Sequence, residues 1–193
     1  MFCKVKLYFS KRLLCRQSCR YTSPSLSRYL TTKKYQEGFE IVKLVEPTAK
    51  DKPLFDRMAQ LYSYDFSEMN GWIIRSDGLF PSIKCFEEMW GDPNRHPRLI
   101  MIDTEPAGFA IVRSTGQHEF DMEQFFILRK YRRAGFGRDA AQMLFRAFSG
   151  RWTVEQIAVN EAAQSFWIHV ISDYTDGNFD DTHDADPIQS FNS

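Results

Sequence analysis

The chain has 193 residues, 43% hydrophobic and 15% aromatic, with 25 Lys+Arg against 25 Asp+Glu. That length supports one domain with a sizeable core, and that composition excludes an intrinsically disordered chain. No window approaches the roughly 20 consecutive apolar residues of a membrane-spanning helix.

The charge balance is uneven along the chain. Residues 1–36 hold nine Lys/Arg and no acid, which leaves 16 bases against all 25 acids in residues 37–193, a net charge of −9. The expected organisation is a basic arm over residues 1–36, unstructured or targeting, followed by one domain over residues 37–193. An Arg-rich, Ser-containing, acid-free arm reads as a mitochondrial transit peptide, as a nucleic-acid-binding tail, or as an upstream extension without a fold. Three of the four cysteines (Cys3, Cys15, Cys19) fall in the arm and leave Cys85 alone in the remainder. These spacings match no metal site and no disulfide framework, so a reducing compartment is expected. That location is cytoplasmic, or mitochondrial if the arm is a transit peptide.

Regular pattern begins near Phe39, where "FEIVKLV" alternates as a first strand. Pro47, Asp51 and Pro53 then open a helix over "LFDRMAQLYSYDF", with Leu54, Met58, Leu61 and Tyr62 on its apolar side. "NGWIIRSDGLFPS" reads as loop, "IKCFEEMWG" as a short helix ending at Gly91, and "DPNRHP" as a turn. "RLIMID" and "FAIVRS" resemble a hairpin, and "EFDMEQFFIL" is a longer strand. After a basic, glycine-spaced turn comes a helix to about Phe148, with Gly150 as its stop. "WTVEQIAV" is a strand and "NEAAQSFWIHVIS" a helix; weak strand signals follow at "YTDGNFDD" and "PIQSFNS". The order predicts a mixed α/β fold with an antiparallel start and one crossover helix.

The turn Arg132-Arg133-Ala134-Gly135-Phe136-Gly137-Arg138 carries the clearest chemistry. The first amides of a helix are unpaired and sit at the positive end of its dipole. Glycines there let an anion approach the backbone, and arginines add charge-assisted contacts. A P-loop is excluded because Gly-Lys-Ser/Thr is absent, and a dinucleotide fingerprint lacks its third glycine.

"FFILRKYRRAGFGRDAAQML" resembles motif A of the GNAT superfamily of acyl-CoA-dependent N-acyltransferases, Gln/Arg-x-x-Gly-x-Gly/Ala, through Arg132, Gly135 and Gly137. "NEAAQSFW" is similar to the family's motif B through Asn160, Ala163 and Phe166. The resemblance covers roughly Phe39 to the C-terminus and implies a mixed, mostly antiparallel central sheet flanked by helices. It implies an acetyltransferase that moves an acetyl group from acetyl-CoA to a primary amine by direct attack, without a metal. The CoA pyrophosphate would lie on the amides of Arg133, Ala134, Gly135, Phe136, Gly137 and Arg138, with Arg132 in the same cradle. Phe125, Phe126 and Ile127 would pair with the pantetheine arm, and Asn160 would contact the cofactor. Two positions depart from the family. Arg129 stands where many members have proline, and Trp167 where a tyrosine often protonates the leaving thiolate. An indole is no usable acid, which leaves Tyr174, Tyr131, water or unaided departure.

The incoming amine must be neutral, so a carboxylate has to take its proton. Strict alternation puts Glu119, Asp121, Glu123, Phe125 and Ile127 on one face, with Glu123 preferred as base, then Asp121. Glu155, five residues before Asn160, is the rival. Asp65, Ser67 and Glu68 are substrate-side candidates, and the net charge of −9 in residues 37–193 favours a cationic amine, small-molecule or peptide. His96, His118 and His169 are isolated, and "HDAD" over residues 183–186 reads as solvated loop rather than a metal site. Neither nucleic acid nor membrane is an expected partner, and a homodimer stays open. Against this reading stand an acyl-CoA-binding protein without chemistry, for which Trp167 speaks, and a nucleic-acid-binding protein acting through the arm.

Overall fold

The computed structural model describes residues 40–183 and 186–193. The readings placed on residues 1–36, on Phe39 and on the middle of "HDAD" lie outside the described residues. In chain order the elements are β1 (Val42–Val45), α1 (Lys52–Asn70), α2 (Lys84–Glu88), β2 (Arg95–Ile102), β3 (Glu105–Gly116), β4 (Glu119–Ile127), α3 (Phe136–Ala147), β5 (Arg151–Glu155), α4 (Glu161–Thr175), β6 (Asp180–Thr182) and β7 (Ile188–Asn192). The seven strands form one sheet in the order β1-β2-β3-β4-β5-β7-β6. Every step is antiparallel except β4–β5, which α3 connects as a parallel crossover.

Two cores sandwich the sheet. On one side α1 buries Phe55, Met58, Ala59 and Tyr62, spaced i, i+3, i+4, i+7, against α2 and Phe109, Ile111 and Phe126 of the sheet. On the other, α3 buries Ala140, Ala141, Leu144 and Phe145, and α4 buries Trp167, Val170 and Ile171, over Ala110, Val112, Met122, Ile127 and Trp152. α1 runs to Asn70 rather than ending near Phe66, because Gly71, at φ 63°, supplies the left-handed stop.

Several local expectations change. The strand read over "WTVEQIAV" stops at Glu155. "DPNRHP" is not wholly a turn, since β2 begins at Arg95 and includes Pro97. β1 pairs only with Leu99–Ile102, so Pro97 lies where that side of β2 has no neighbour and its missing N–H costs no ladder bond there. α4 extends through Tyr174 into Thr175, which leaves only Asp180–Thr182 of the expected "YTDGNFDD" as strand. Gly150 is not a left-handed helix cap. It lies against the passing chain at His118, whose carbonyl O would sit 2.2 Å from a Cβ at that position.

Candidate active site

β4 and β5 pair over only three positions, Glu119↔Arg151, Phe120↔Trp152 and Asp121↔Thr153. β4 then runs on to Ile127, while β5, paired with β7 on its other edge along its whole length, ends at Glu155. Beyond Asp121 the two strands part, and the β4 edge that faced β5 has no strand partner. A cleft of about 480 Å³ opens at the parting, lined by Gln124 and Phe125 of β4, Glu155 of β5, Trp167 of α4 and its N-cap Asn160, and Tyr62 and Phe66 of α1, among others.

The alternation expected along β4 does not survive. Ile111 and Val112, adjacent on β3, pair with Gln124 and Met122, so Glu123 is an extra residue in a β-bulge. Phe120, Met122, Phe125 and Ile127 pack with the α3/α4 core. Asp121 is paired in register with Arg113, two residues beyond Ile111 of the α1/α2 core, and Glu123 reaches Arg95, the next residue in that row. Asp121 and Glu123 therefore lie on the α1 side, opposite Phe125 and Ile127. Trp152 and Val154 face the α3/α4 core, which turns Thr153 and Glu155 to the α1 side as well. All three candidate acids thus meet on one face, though by a bulge rather than by plain alternation.

Two of the three already have partners. Glu123 accepts from Arg95 Nε at 2.8 Å and from its terminal nitrogen at 2.9 Å. Asp92 and Glu88 hold the same guanidinium at 2.5 and 3.3 Å. Asp121 accepts from Arg113 at 2.5 Å. The hydrogen bonds Arg95 donates to Glu123, then the charge of that carboxylate, raise the pKa of Arg95, and Asp121 does the same for Arg113. Glu155 is exposed and, among the described residues, makes no ion pair and no side-chain hydrogen bond. Neither arginine was singled out from the sequence. Arg95 stands 28 positions from Glu123, and only the sheet register brings them together.

The glycine-spaced turn follows β4 as expected. A 3₁₀ turn over Arg129–Tyr131 leads to Arg133 at φ 66° and Gly135 at φ 88°, and α3 begins at Phe136. Gly135 is the N-cap and offers no side chain to the helix amides. Among the described residues, no acceptor is found for the N–H groups from Arg133 to Arg138. That is a row of unpaired donors at a helix start, with Arg133 and Arg138 exposed beside it. The two glycines serve different ends. A Cβ on Gly135 would meet only the Arg138 guanidinium at 3.7 Å, so its backbone angle is what requires glycine. A Cβ on Gly137 would lie 3.3 Å from the Phe166 ring and 3.5 Å from Ile127, so there glycine lets α3 pack closely. The Arg132 guanidinium is turned elsewhere, donating to Ile127 O at 2.7 Å and pairing with Asp65 of α1.

Asn160 caps α4 by accepting from Ala163 N at 3.1 Å, and it also lines the cleft. Trp167 is buried, with ring neighbours Phe125 at 5.0 Å and Phe166 at 4.9 Å, and borders the cleft. Tyr131 and Tyr174 do not line it. Tyr131 is buried, with its hydroxyl bonded by Lys130, and Tyr174 packs on Phe145 and Phe191. The tyrosine in the cleft is Tyr62, whose burial raises its pKa and keeps the phenol protonated. Asp65, Ser67 and Glu68 are outside the lining: Asp65 binds Arg129 and Arg132, and Ser67 caps back onto Tyr64 O.

A sheet whose parallel step splays open beside a donor-rich helix start leaves room and backbone donors for a long anionic ligand. Residues 55–169 match the model of the Acetyltransferase (GNAT) family. The chain belongs to that family and is an acyl-CoA-dependent N-acetyltransferase. No curated protein matches the sequence. Among solved structures, an acetyltransferase from Thermus thermophilus superimposes with a TM-score of 0.60 at 17% identity, covering 79% of this chain and 97% of that one. The ribosomal-protein-S18-alanine N-acetyltransferase of Escherichia coli gives 0.52 at 18% identity, covering 79% and 94%. The PaiA N-acetyltransferase of Thermoplasma acidophilum, solved in complex with coenzyme A, gives 0.51 at 11% identity, covering 79% and 99%. Likenesses at these identities speak for the fold.

Proposed function

We propose that the cleft transfers an acetyl group from acetyl-CoA to a primary amine by direct attack, with Glu155 as the base. The observation that carries this is the parting of β4 from β5 next to unpaired amides at the start of α3. The amides of Arg133 to Arg138 would hold the pyrophosphate, with Arg133 and Arg138 adding charge. The unpaired edge of β4, from Met122 to Ile127, would take the amide-bearing pantetheine arm as an added strand takes a sheet edge. Main-chain N–H groups of that edge would polarise the thioester carbonyl. Asn160, with its side-chain oxygen engaged in capping, retains its NH₂ for a ligand.

Acetyl-CoA supplies an activated acyl carbon with a thiolate leaving group. The amine nitrogen bonds to that carbon, and the C–S bond breaks. The ammonium proton passes to Glu155, directly or through one water, and the thiolate takes a proton from solvent. Glu155 is preferred over Glu123 because its lone pairs are uncommitted. Protonating Glu123 would weaken its two bonds from Arg95 and leave that guanidinium to Asp92 and Glu88. Steady-state thiol-release kinetics test the assignment. Glu155→Gln should lower kcat by about 10²-fold or more while KM for acetyl-CoA stays put. A wild-type kcat in that variant would return the role to Glu123 or Asp121.

A further inference from the structure

Four acids line the cleft, Asp121, Glu123, Glu155 and Asp186, against one arginine, Arg113. Their capacity for a new cation is far smaller than that count implies. Asp121 is committed to Arg113, and Glu123 to Arg95, with Arg113 a further 4.0 Å away. Asp186 accepts the Ala158 N–H at 2.8 Å. Glu155 alone among these four has neither ion pair nor hydrogen bond among the described residues. The net charge of −9 in residues 37–193 therefore does not reach the acceptor as a field of open carboxylates.

The facing wall is aromatic. Tyr62 and Phe66 of α1 sit 4.3 Å apart between ring centroids, and Trp72, just beyond the helix, stacks on Phe66 at 6.3 Å with planes 26° apart. Such rings receive an apolar or aryl body well. The cleft's roughly 480 Å³ must also hold the acyl end of the donor, which leaves room for a small acceptor group.

We propose that the acceptor is a monocationic primary amine on an aryl or other apolar stem, its ammonium at Glu155 and its stem against Phe66 and Trp72. This rests on the acetyl-transfer reading of the same cleft. Polyamines and aminoglycosides are disfavoured because their further ammonium groups would meet carboxylates already partnered, in a cleft with room for a small acceptor group. The same chemistry is offered by a free arylalkylamine and by the first residue of a peptide that begins with Phe.

The test is thiol release by the full chain with acetyl-CoA and four acceptors: 2-phenylethylamine, a Phe-Gly-Gly tripeptide, spermidine and kanamycin. The phenyl-bearing amines should exceed the polycations in kcat/KM by about ten-fold or more, the value of one buried apolar group. Preference for the tripeptide over phenylethylamine assigns the source to a peptide and supports the class. Preference for spermidine or kanamycin overturns the class and leaves acetyl transfer standing. No turnover of any amine, with CoA binding intact, overturns both. Phe66→Leu and the more peripheral Trp72→Ala should raise KM for the favoured amine several-fold without moving KM for acetyl-CoA. Unchanged amine KM in both overturns the proposal.

Discussion

Asp65 of α1 and Arg132 of the turn after β4 are joined at 2.5 Å, and the same carboxylate holds Arg129 at 2.7 Å. Arg132 in turn donates to the carbonyl of Ile127, the last residue of β4. One carboxylate on α1 thus steadies both the end of the splayed strand and the turn that opens α3. Burial alone would raise the Asp65 pKa, but hydrogen bonds from Arg132 and Arg129 and their charges outweigh it and hold it below the usual carboxylate value.

Asp65→Asn keeps the shape and removes the charge. It should raise KM for acetyl-CoA about three- to ten-fold with a smaller effect on kcat, since the turn is displaced and the base is not. The pH dependence has a definite sign. A depressed folded-state pKa gives stability that is complete above the unfolded value of about 4 and fades as pH falls through the folded one. The stability gap between wild type and Asp65→Asn, from urea unfolding at several pH values, should therefore narrow below about pH 4. A gap that is constant with pH would contradict the ion pair.

Gly135→Asp and Gly137→Ala should separate the two glycines. At Gly135 a β-carbon must adopt φ 88°, at a cost of about 1–2 kcal/mol, and the new carboxylate faces the unpaired amides. CoA affinity, by calorimetry, should fall by more than about ten-fold. At Gly137 the added methyl presses on Phe166 and Ile127 while gaining helix propensity, so stability should change by no more than about 1 kcal/mol, with a smaller loss of affinity. Equal CoA affinities in the two variants would refute this division.

The sequence was most readable where chemistry is local. Arg132, Gly135, Gly137 and Asn160 all stand at helix starts, where neighbours in the chain decide backbone angle and capping. The face of Glu123 was not readable, because a bulge adds a residue without leaving a mark in the apolar pattern. Nor was the pairing of Glu123 with Arg95 and of Asp121 with Arg113, which depends on the register of three strands. Arg132 had the right position but the wrong neighbour: its partner Asp65 lies 67 residues away. Likewise the excess of acids described the domain's charge, not the state of the carboxylates in the cleft.

His96 supplies a second pH signature. It packs on the Phe148 ring at 5.2 Å and shares a 2.9 Å hydrogen bond with Ser114. Burial, then the charge of Arg98, lowers its pKa, against smaller opposing effects of Glu46 and Asp92. The neutral form is thus the native one. Its contribution is complete above the unfolded value of about 6.5 and is lost as pH falls through the folded one. Wild type minus His96→Gln, in unfolding free energy, should decrease from pH 7.5 to 5. A difference that stays flat over that range, or rises toward pH 5, would show that His96 is not held neutral.

Gly108→Ala tests whether the end of β4 can give way. A Cβ there would lie 2.0 Å from Phe126 O and 3.1 Å from Ile127 Cα, both main chain, so the strand itself must move. Gly116→Ala is the control. Its Cβ would lie 2.6 Å from Glu119 Oε2, the far end of a flexible side chain that can swing aside. Nominal overlap is severe in both, but only the first is borne by a paired backbone. Gly108→Ala should cost about 3 kcal/mol and lower Tm by roughly 10 °C, whereas Gly116→Ala should stay within about 0.5 kcal/mol. Because Phe126 and Ile127 form the β4 edge beside the cleft, kcat/KM for acetyl-CoA should also fall in Gly108→Ala and hold in Gly116→Ala. If both variants melt and turn over alike, β3 can yield without moving β4, and the splayed edge is not positioned by this contact.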